Sequence, residues 1–520
     1  MTTARAWQIW RWPALRVQAV AAVVLLLWAA WAAFGPGSAQ GSIAASTYDQ
    51  LQQHRLWASA PDPRIVIVDI DERSLADMAP EFGRWPWPRD TLATVLDHAQ
   101  RQGAAAVVFD VLFSDPDRLH PGGDRALEAA VRSGSAGFFP VLRLPAALDG
   151  QSTLRASDVP GLTWPGPDAA GPAPTIAAVL PFMQAMLQST RLGTHTAQLD
   201  ADGKIRRFAQ HEALPGGWWL RSMPAAVAQH LGTGAGPAPA PDATHRLVVW
   251  RAAPDQYPRV PFSVVWACAE GQPRADCPQL AGRIVLVGAS ASSLHDIKST
   301  PLAAQHLGVD ILATLIDNAL HQRQIRELPA ALRWALGVAA LALAWWLVRR
   351  GQAGASRRAL WALPLLLMAV GWASLHSEWL YLDLALPATV ALAFLTLVVV
   401  FDGWRRLHFG GAPAPGLALV CGSTSENAEA LERAVFDAAA RLGLRVGGGH
   451  ADSGEHGGLH SVWTLWAVPD AATANALAAA LPAGWCTVFT AGAAPLHDRV
   501  AAISASPNAF TPTRTDHAAS

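Results

Sequence analysis

Acidic side chains gather where apolar runs end. Asp69, Asp71 and Glu72 close the run at 64–72 (RIVIVDIDE). Asp110 sits inside a second run, 105–113 (AAVVFDVLF), with Asp115 and Asp117 just past it. Gly288 closes a third, 283–288 (RIVLVG), and Asp296 follows. Carboxylates that converge on one edge can coordinate a hard cation or bind a polar ligand. They can equally cap helices and pair with Arg84 and Arg89, and spacing alone does not choose. The stretch 83–89 (GRWPWPR) lies between the first run and a helical segment; proline stiffens it, and the indoles of Trp85 and Trp87 could wall a pocket. The candidate ligand-binding set is therefore Asp69, Asp71, Glu72, Trp85, Trp87, Arg89, Asp110, Asp115, Asp117, Gly288 and Asp296. No catalytic residue and no cofactor is implied, and no metal is assigned.

The elements that must position these residues alternate. The apolar runs read as buried strands, with Pro61 and Pro63 before the first. Residues 91–102 have helical spacing, with Leu92, Val95, Leu96 and Ala99 on one face and Gly103 as the stop. Residues 124–132 and 309–321 read as helices, and 137–142 as a strand. Alternating strands and helices imply a largely parallel sheet with helices on its faces. In such sheets ligands bind beyond the carboxyl ends of the strands, where the acids fall. The Pro/Gly/Ala-rich stretches 161–174 and 232–241 read as surface insertions. Residues 195–208 contain Asp200, Ala201, Asp202 and Gly203, a turn signal, followed by Arg206 and Arg207; this run reads as a solvated hairpin.

Composition places the whole in a membrane class. Of 520 residues, 51% are apolar and 15% charged, against about a quarter charged in soluble proteins. The net charge of −1 argues against nucleic-acid binding and disorder. The 23 Trp against 3 Tyr fit lipid–water interfaces. Stretches 17–34, 331–348, 359–375 and 384–401 are each apolar enough to read as a membrane span. The first exceeds a usual signal-peptide core and reads as an uncleaved anchor. Arg5, Arg11 and Arg16 precede it; Arg349, Arg350, Arg357 and Arg358 fill the loop between the second and third; Arg405 and Arg406 follow the fourth. The loop between the third and fourth has Glu378 and Asp383 and neither Lys nor Arg. Basic flanks mark the cytoplasmic side, which puts residues 1–16 inside, 35–328 outside and the C-terminus inside; Arg333, at the outer start of the second span, is an exception. Cys268 and Cys277 then lie outside, where a disulfide can form across their short loop, and Cys421 and Cys486 lie inside as thiols. All four are also compatible with ordinary roles.

Several of these motifs resemble a known family. IVIVDIDE at 65–72, Ser74 and Leu75, GRWPWPR at 83–89, Gly103 and Ala104, and FDVLFSDPD at 109–117 resemble the second type of CHASE domain, a sensory extracellular module associated with cyclases and histidine kinases. DADGKIRR at 200–207 resembles its central hairpin. GRIVLVGAS at 282–290, Asp296, Thr300, Pro301, Gly308 and Val309 resemble its C-terminal segment, and Tyr48 and Asp49 its lead-in. The resemblance implies signal reception across a bacterial inner membrane, a homodimer, and one span, a sensor, three spans and a cytoplasmic output in that order. It supplies no catalytic residues.

The expected output module, 412–506, has none of the usual signalling enzymes' motifs: no phosphate loop with Lys, no HRD or DFG, no GGDEF. Its apolar pattern reads β-α-β-β-α-β, a small ferredoxin-like α+β unit. Class III cyclases share a related core but need two metal-binding Asp. Neither 422–425 nor 462–465 supplies one, so a cyclase relative here would be degenerate. His450, Asp452, Glu455, His456 and His460 crowd a Gly-rich stretch that could hold zinc or be a solvated loop. Residues 507–520 read as a disordered tail.

The expectation is thus a receptor that detects an unidentified extracytoplasmic signal, contacts membrane lipid and informs an unidentified cytoplasmic partner through a non-catalytic module. Alternatives are a divergent, inactive nucleotide cyclase-like protein and a membrane scaffold without a ligand. Transport has little support, since the spans show no internal repeat.

Overall fold

The computed structural model describes residues 14–34, 39–197, 199–233, 246–272, 274–294, 296–350, 355–411, 417–423, 428–444, 446–447, 450–456, 459–467, 471–481 and 486–490. The chain divides into two compact units, one of residues 45–328 with 372–382, the other of 1–44, 329–371 and 383–520.

The first unit is built on a seven-stranded sheet. Its strands are β1 (Ile65–Ile70), β2 (Ala106–Phe109), β3 (Gly137–Arg143), β4 (Ala178–Val179), β5 (Leu192–Thr194), β6 (Arg259–Pro261) and β7 (Ile284–Ala289). The order is β6-β1-β7-β2-β3, with β5 parallel and β4 antiparallel to β3. All pairs from β6 to β3 are parallel. The continuous apolar runs follow from burial on both faces. Val66, Val68, Val107, Phe109, Val285 and Val287 face one core with helices α1 (Glu72–Phe82), α2 (Arg89–Arg101), α3 (Pro121–Ser133) and, farther on in the chain, α5 (Phe262–Ala269). Ile65, Ile67, Ala106, Val108, Ile284 and Leu286 face a second core with α4 (Met223–His230) and α6 (Gly308–Leu320). Cys268 and Cys277 are bonded to each other, Cα–Cα 5.8 Å, closing the loop after α5.

Three expectations change. Helix α1 begins directly at Glu72, because Asp71 caps it by accepting from the Ser74 N–H at 2.7 Å; the acids close a strand and open a helix at once. Part of 161–174 is a strand, Thr163–Pro165, in a three-stranded antiparallel sheet with Trp218–Arg221 and His211–Leu214. Residues 200–203 do turn, with the Asp200 N–H on the Lys204 carbonyl at 2.9 Å, but among the described residues Arg207–Phe208 pairs with Arg246–Leu247 and not with the chain before the turn. The unit also includes the segment read as a plain loop between spans. Arg326–Glu327 pairs in parallel with Leu380–Tyr381, and Glu378 takes an ion pair from Arg55 at 2.8 Å.

In the second unit, helices Ala14–Phe34, Ala330–Arg350 and Ala385–Phe409 pack through Ala29, Ala344, Val390 and Phe394. Their outer faces are apolar too: Leu27 is 67% exposed and Val400 57%. Two helices are long and apolar enough to cross a membrane, Leu15–Phe34 and Ala330–Arg349; the apolar described stretches Trp361–Leu375 and Ala385–Phe401 are shorter. C-terminally, an antiparallel sheet has the order His450–His456, Leu459–Ala467, Leu417–Ser423, Cys486–Thr490, accompanied by helices Ala428–Leu442 and Ala471–Ala479. In the Gly-rich stretch read as a loop, His450–His456 is strand, with Glu455 the register partner of His460. The side chains of His450, Asp452, Glu455, His456 and His460, like residues 234–245 and 507–520, lie outside the described residues.

Candidate functional site

Strand β2 ends at Phe109, and the next residue leaves the sheet with its backbone still attached: the Asp110 N–H donates to the Val287 carbonyl at 2.8 Å. Opposite stands Gly288. A Cβ there would lie 2.7 Å from Val309 Cγ2 and 3.3 Å from Asp110 Cβ, so only glycine lets β7, Asp110 and α6 close together. At the start of α6, the Gly308 N–H donates to the Asp296 carbonyl at 2.9 Å. The Asp296 carboxylate fills the space that a Gly308 side chain would take. It thereby rests on the first turn of α6, where free N–H groups and the helix dipole favour negative charge. Lys298 pairs with Asp296 at 3.5 Å, from a short strand, Ile297–Lys298, held by His306–Leu307.

These groups rim a cavity of about 540 Å³ beyond the carboxyl ends of β2 and β3. Its polar side chains are Asp110, His195, Thr196, Asp296 and Lys298; Leu142, Ile205, Ile311, Leu312 and Leu315 supply apolar wall. Among the described residues, no group hydrogen-bonds the Asp110 carboxyl. Burial, and then the nearby Asp296 charge, raise its pKa from the ordinary 3.8 to about 7, with Lys298 pulling the other way. His195 is pushed below its usual range by burial, which keeps the ring neutral near pH 7, and its Nδ1 is buried without a partner. Among the described residues, no three His, Cys, Asp or Glu side chains gather as a metal site. The arrangement suits a small organic molecule with a polar end. A neighbouring cavity of about 380 Å³ shares Thr196, Ala197 and Leu199, but its cation, Arg143, is satisfied by Asp149 at 2.6 Å and Glu212 at 3.0 Å.

The structure thus brings Asp110, Gly288 and Asp296 together and sends the other candidates elsewhere. Asp69 accepts from Arg259 and from the Ser290 hydroxyl, both at 2.8 Å; Arg259 also pairs with Asp310. Asp71 is a cap, and Glu72 accepts from the Ser293 N–H at 3.4 Å. Trp87 is buried against Phe262, ring centroids 5.2 Å apart, with Trp85 edge-on at 5.0 Å; these indoles fill core instead of walling the cavity. Arg89 pairs with Asp124, donates to the Asp115 carbonyl and lies 4.9 Å from the Phe182 ring centre. The Asp115 carboxylate accepts from Ser114 at 2.8 Å. Asp117 accepts from the N–H groups of Leu119 and His120, at 3.0 and 2.9 Å, fixing the approach to α3.

Two features escaped the sequence reading. His195 and Lys298 complete the cavity, yet neither stands in a recognisable motif. The run read as a solvated hairpin is a buried charge cluster. The Arg206 side chain is 1% exposed and donates to Asp49 at 2.8 Å, Asp200 at 2.9 Å and Asp202 at 2.6 Å. Burial alone would lower the Arg206 pKa; the three carboxylates raise it instead, and the Arg206 hydrogen bond holds Asp202 down at about 2. Arg207 joins Asp200 to Glu327 at 2.9 and 2.7 Å. The paired signs in DADGKIRR were the available signal.

The CHASE2 domain family model matches residues 19–349. The chain belongs to the CHASE2 domain family. CHASE2 domains are extracellular sensory domains, typically of membrane receptors. The match reaches beyond the α/β unit into helices Ala14–Phe34 and Ala330–Arg350, so the CHASE2 region here includes its flanking apolar helices. No curated protein and no solved structure matches the chain.

Proposed function

We propose that this CHASE2 protein is a receptor with four membrane spans in a bacterial inner membrane, its sensor outside and its C-terminal module inside. Two apolar helices of sufficient length and the basic flanks support the topology. The exception, Arg333, is paired with Asp383 at 2.7 Å, which removes its weight as a free charge. The sensor detects a small molecule in the cavity at Asp110.

One observation carries this reading: the wall of the cavity and the charge cluster are one short segment. Leu199 and Ile205 line the cavity. Between and beside them, Arg206 holds Asp49, in the helix Ala39–Gln53 that follows the first apolar helix. Arg207 holds Glu327, just before the helix Ala330–Arg350. The Ile205 N–H also donates to the Ser299 carbonyl at 2.9 Å, lacing this segment to the strand that carries Lys298. A ligand that favours one setting of 199–207 therefore biases both exits of the sensor together. The C-terminal module is the non-catalytic recipient, read by a cytoplasmic partner. Its strand order supports the ferredoxin-like reading, and the absence of acids at 422–425 and 462–465 argues against cyclase activity, so the divergent cyclase-like alternative would also be inactive. Homodimerisation is expected from the family.

The test is hydrogen exchange on the full chain in lipid nanodiscs, comparing wild type with Ala197→Phe, which fills the cavity from its wall. Altered protection in 39–53 and 326–327 as well as 199–207 is expected. Changes confined to the cavity wall would leave a scaffold. Topology is checked by labelling intact cells with a membrane-impermeant maleimide: Leu119→Cys, at an 85% exposed site, should react and Ala353→Cys should not.

A further inference from the structure

We infer that the cavity selects a small organic cation, an amine carried on a compact apolar body, with the Asp110 carboxylate as its anchor. The inference rests on the sensory reading of the cavity and adds the class of ligand. The charges within reach decide it. Asp296 and Lys298 already neutralise each other, and Lys298 is half-exposed at the rim. His195 is neutral and contributes an unpartnered ring nitrogen. Helix α6, which forms the floor, brings Ile311, Leu312 and Leu315; its own acid Asp310 is held by Arg259. The charge left over is Asp110, and it is negative. An anion entering here would face two carboxylates against one committed lysine. An ammonium group would give Asp110 the charged partner it lacks and could donate to the acceptor at His195, while its apolar body lies on the leucine and isoleucine floor.

A cation on Asp110 also requires that carboxyl to be ionised. Asp110 holds its proton up to about pH 7, because burial and then the Asp296 charge raise its pKa while Lys298 pulls the other way; His195, the other titratable group facing it, is neutral and adds no charge. Binding near neutral pH therefore releases a proton, and below about pH 7 affinity falls about tenfold for each pH unit. The opposite slope holds for a ligand that accepts a hydrogen bond from protonated Asp110.

The experiment uses the full chain in nanodiscs and three matched probes, cyclohexylamine, cyclohexanol and cyclohexanecarboxylate. Thermal melting and calorimetric titration are run on wild type and Asp110→Asn; the variant preserves shape and cancels partitioning into lipid. The amine alone is expected to raise the melting temperature, with affinity lowered about tenfold or more in Asp110→Asn, and with proton release seen as a dependence of the heat on buffer ionisation enthalpy. An equal shift with cyclohexanol, or an amine shift retained in Asp110→Asn, overturns the cation class and leaves the sensory cavity standing. Binding of the carboxylate overturns it in favour of Lys298 as anchor. If no probe shifts the melt, the cation class fails, and the hydrogen-exchange comparison with Ala197→Phe decides separately whether the cavity is coupled at all.

Discussion

Two acids at the same edge of the sheet have opposite surroundings. Asp69, near the end of β1, is buried and answered by Arg259 and Ser290, with Asp310 completing the group. Asp110, just past β2, opens on a cavity, and its carboxyl has no hydrogen-bond partner among the described residues. The strands that carry them are both neighbours of β7, and both acids follow apolar residues. The difference lies in what the rest of the chain brings. Arg259 comes from β6, beside β1, whereas among the described residues no cation pairs with Asp110, the nearby Lys298 being paired with Asp296. A carboxylate that is matched holds the fold together, whereas one left unmatched is available to something that is not part of the chain.

The contrast can be broken first on the matched side. Arg259→Met leaves Asp69 and Asp310 buried without their cation, and about 3–5 kcal/mol of stability should be lost; an unchanged denaturant midpoint would remove the structural role given to this group. Gly288→Ala attacks the seam between the two acids. The added methyl meets Val309 and Asp110, and a loss of about 1–3 kcal/mol is expected, measured by the same melts, as the neighbours shift. Asp71→Ala should cost about 1 kcal/mol through the lost cap of α1 and leave probe binding at the cavity untouched, which calorimetry can verify. Asp110→Asn is read from a slope across pH, not from a single value. Wild type should lose stability as pH rises from 3.8 through about 7, because the folded protein keeps a proton that the unfolded chain gives up. The Asn variant should lack that contribution, matching wild type at the acid end and gaining on it toward neutrality. Parallel slopes in the two proteins would show that Asp110 ionises normally.

What the sequence discloses about this fold is what neighbours in the chain determine. Strands 65–70, 106–109 and 284–289 are legible because burial on both faces demands unbroken apolar runs, and Leu92, Val95, Leu96 and Ala99 display the buried face of α2 directly. The short helix α1 hides because its cap, Asp71, also ends an apolar run and reads equally well as a strand terminus. Pairing across the chain is another matter. Arg206 looks solvated in its own segment, and its partner Asp49 lies 157 residues away. Asp110 and Asp296 can be suspected from position, but His195 and Lys298 become relevant only when the β5 segment and the hairpin at 297–307 are folded against the sheet edge. The Trp85–Arg89 stretch misleads in the other direction, since a rigid aromatic loop can wall a pocket or plug a core, and Phe262, which decides, belongs to a distant helix.

The segment 372–382 has a practical bearing on how such proteins can be recombined. The polypeptide passes between the two compact units at four places, near residues 44, 328, 371 and 382. A sensor cut out as 45–328 would lose the 372–382 segment and with it a strand. Arg55 and Ser59 would lose Glu378, the Leu56 N–H would lose the His376 ring at 3.2 Å, and Arg326–Glu327 would stand without Leu380–Tyr381. The natural cassette for grafting onto a foreign output is therefore the chain through the helix ending at Phe409, apolar helices included, with the exchange made only after it.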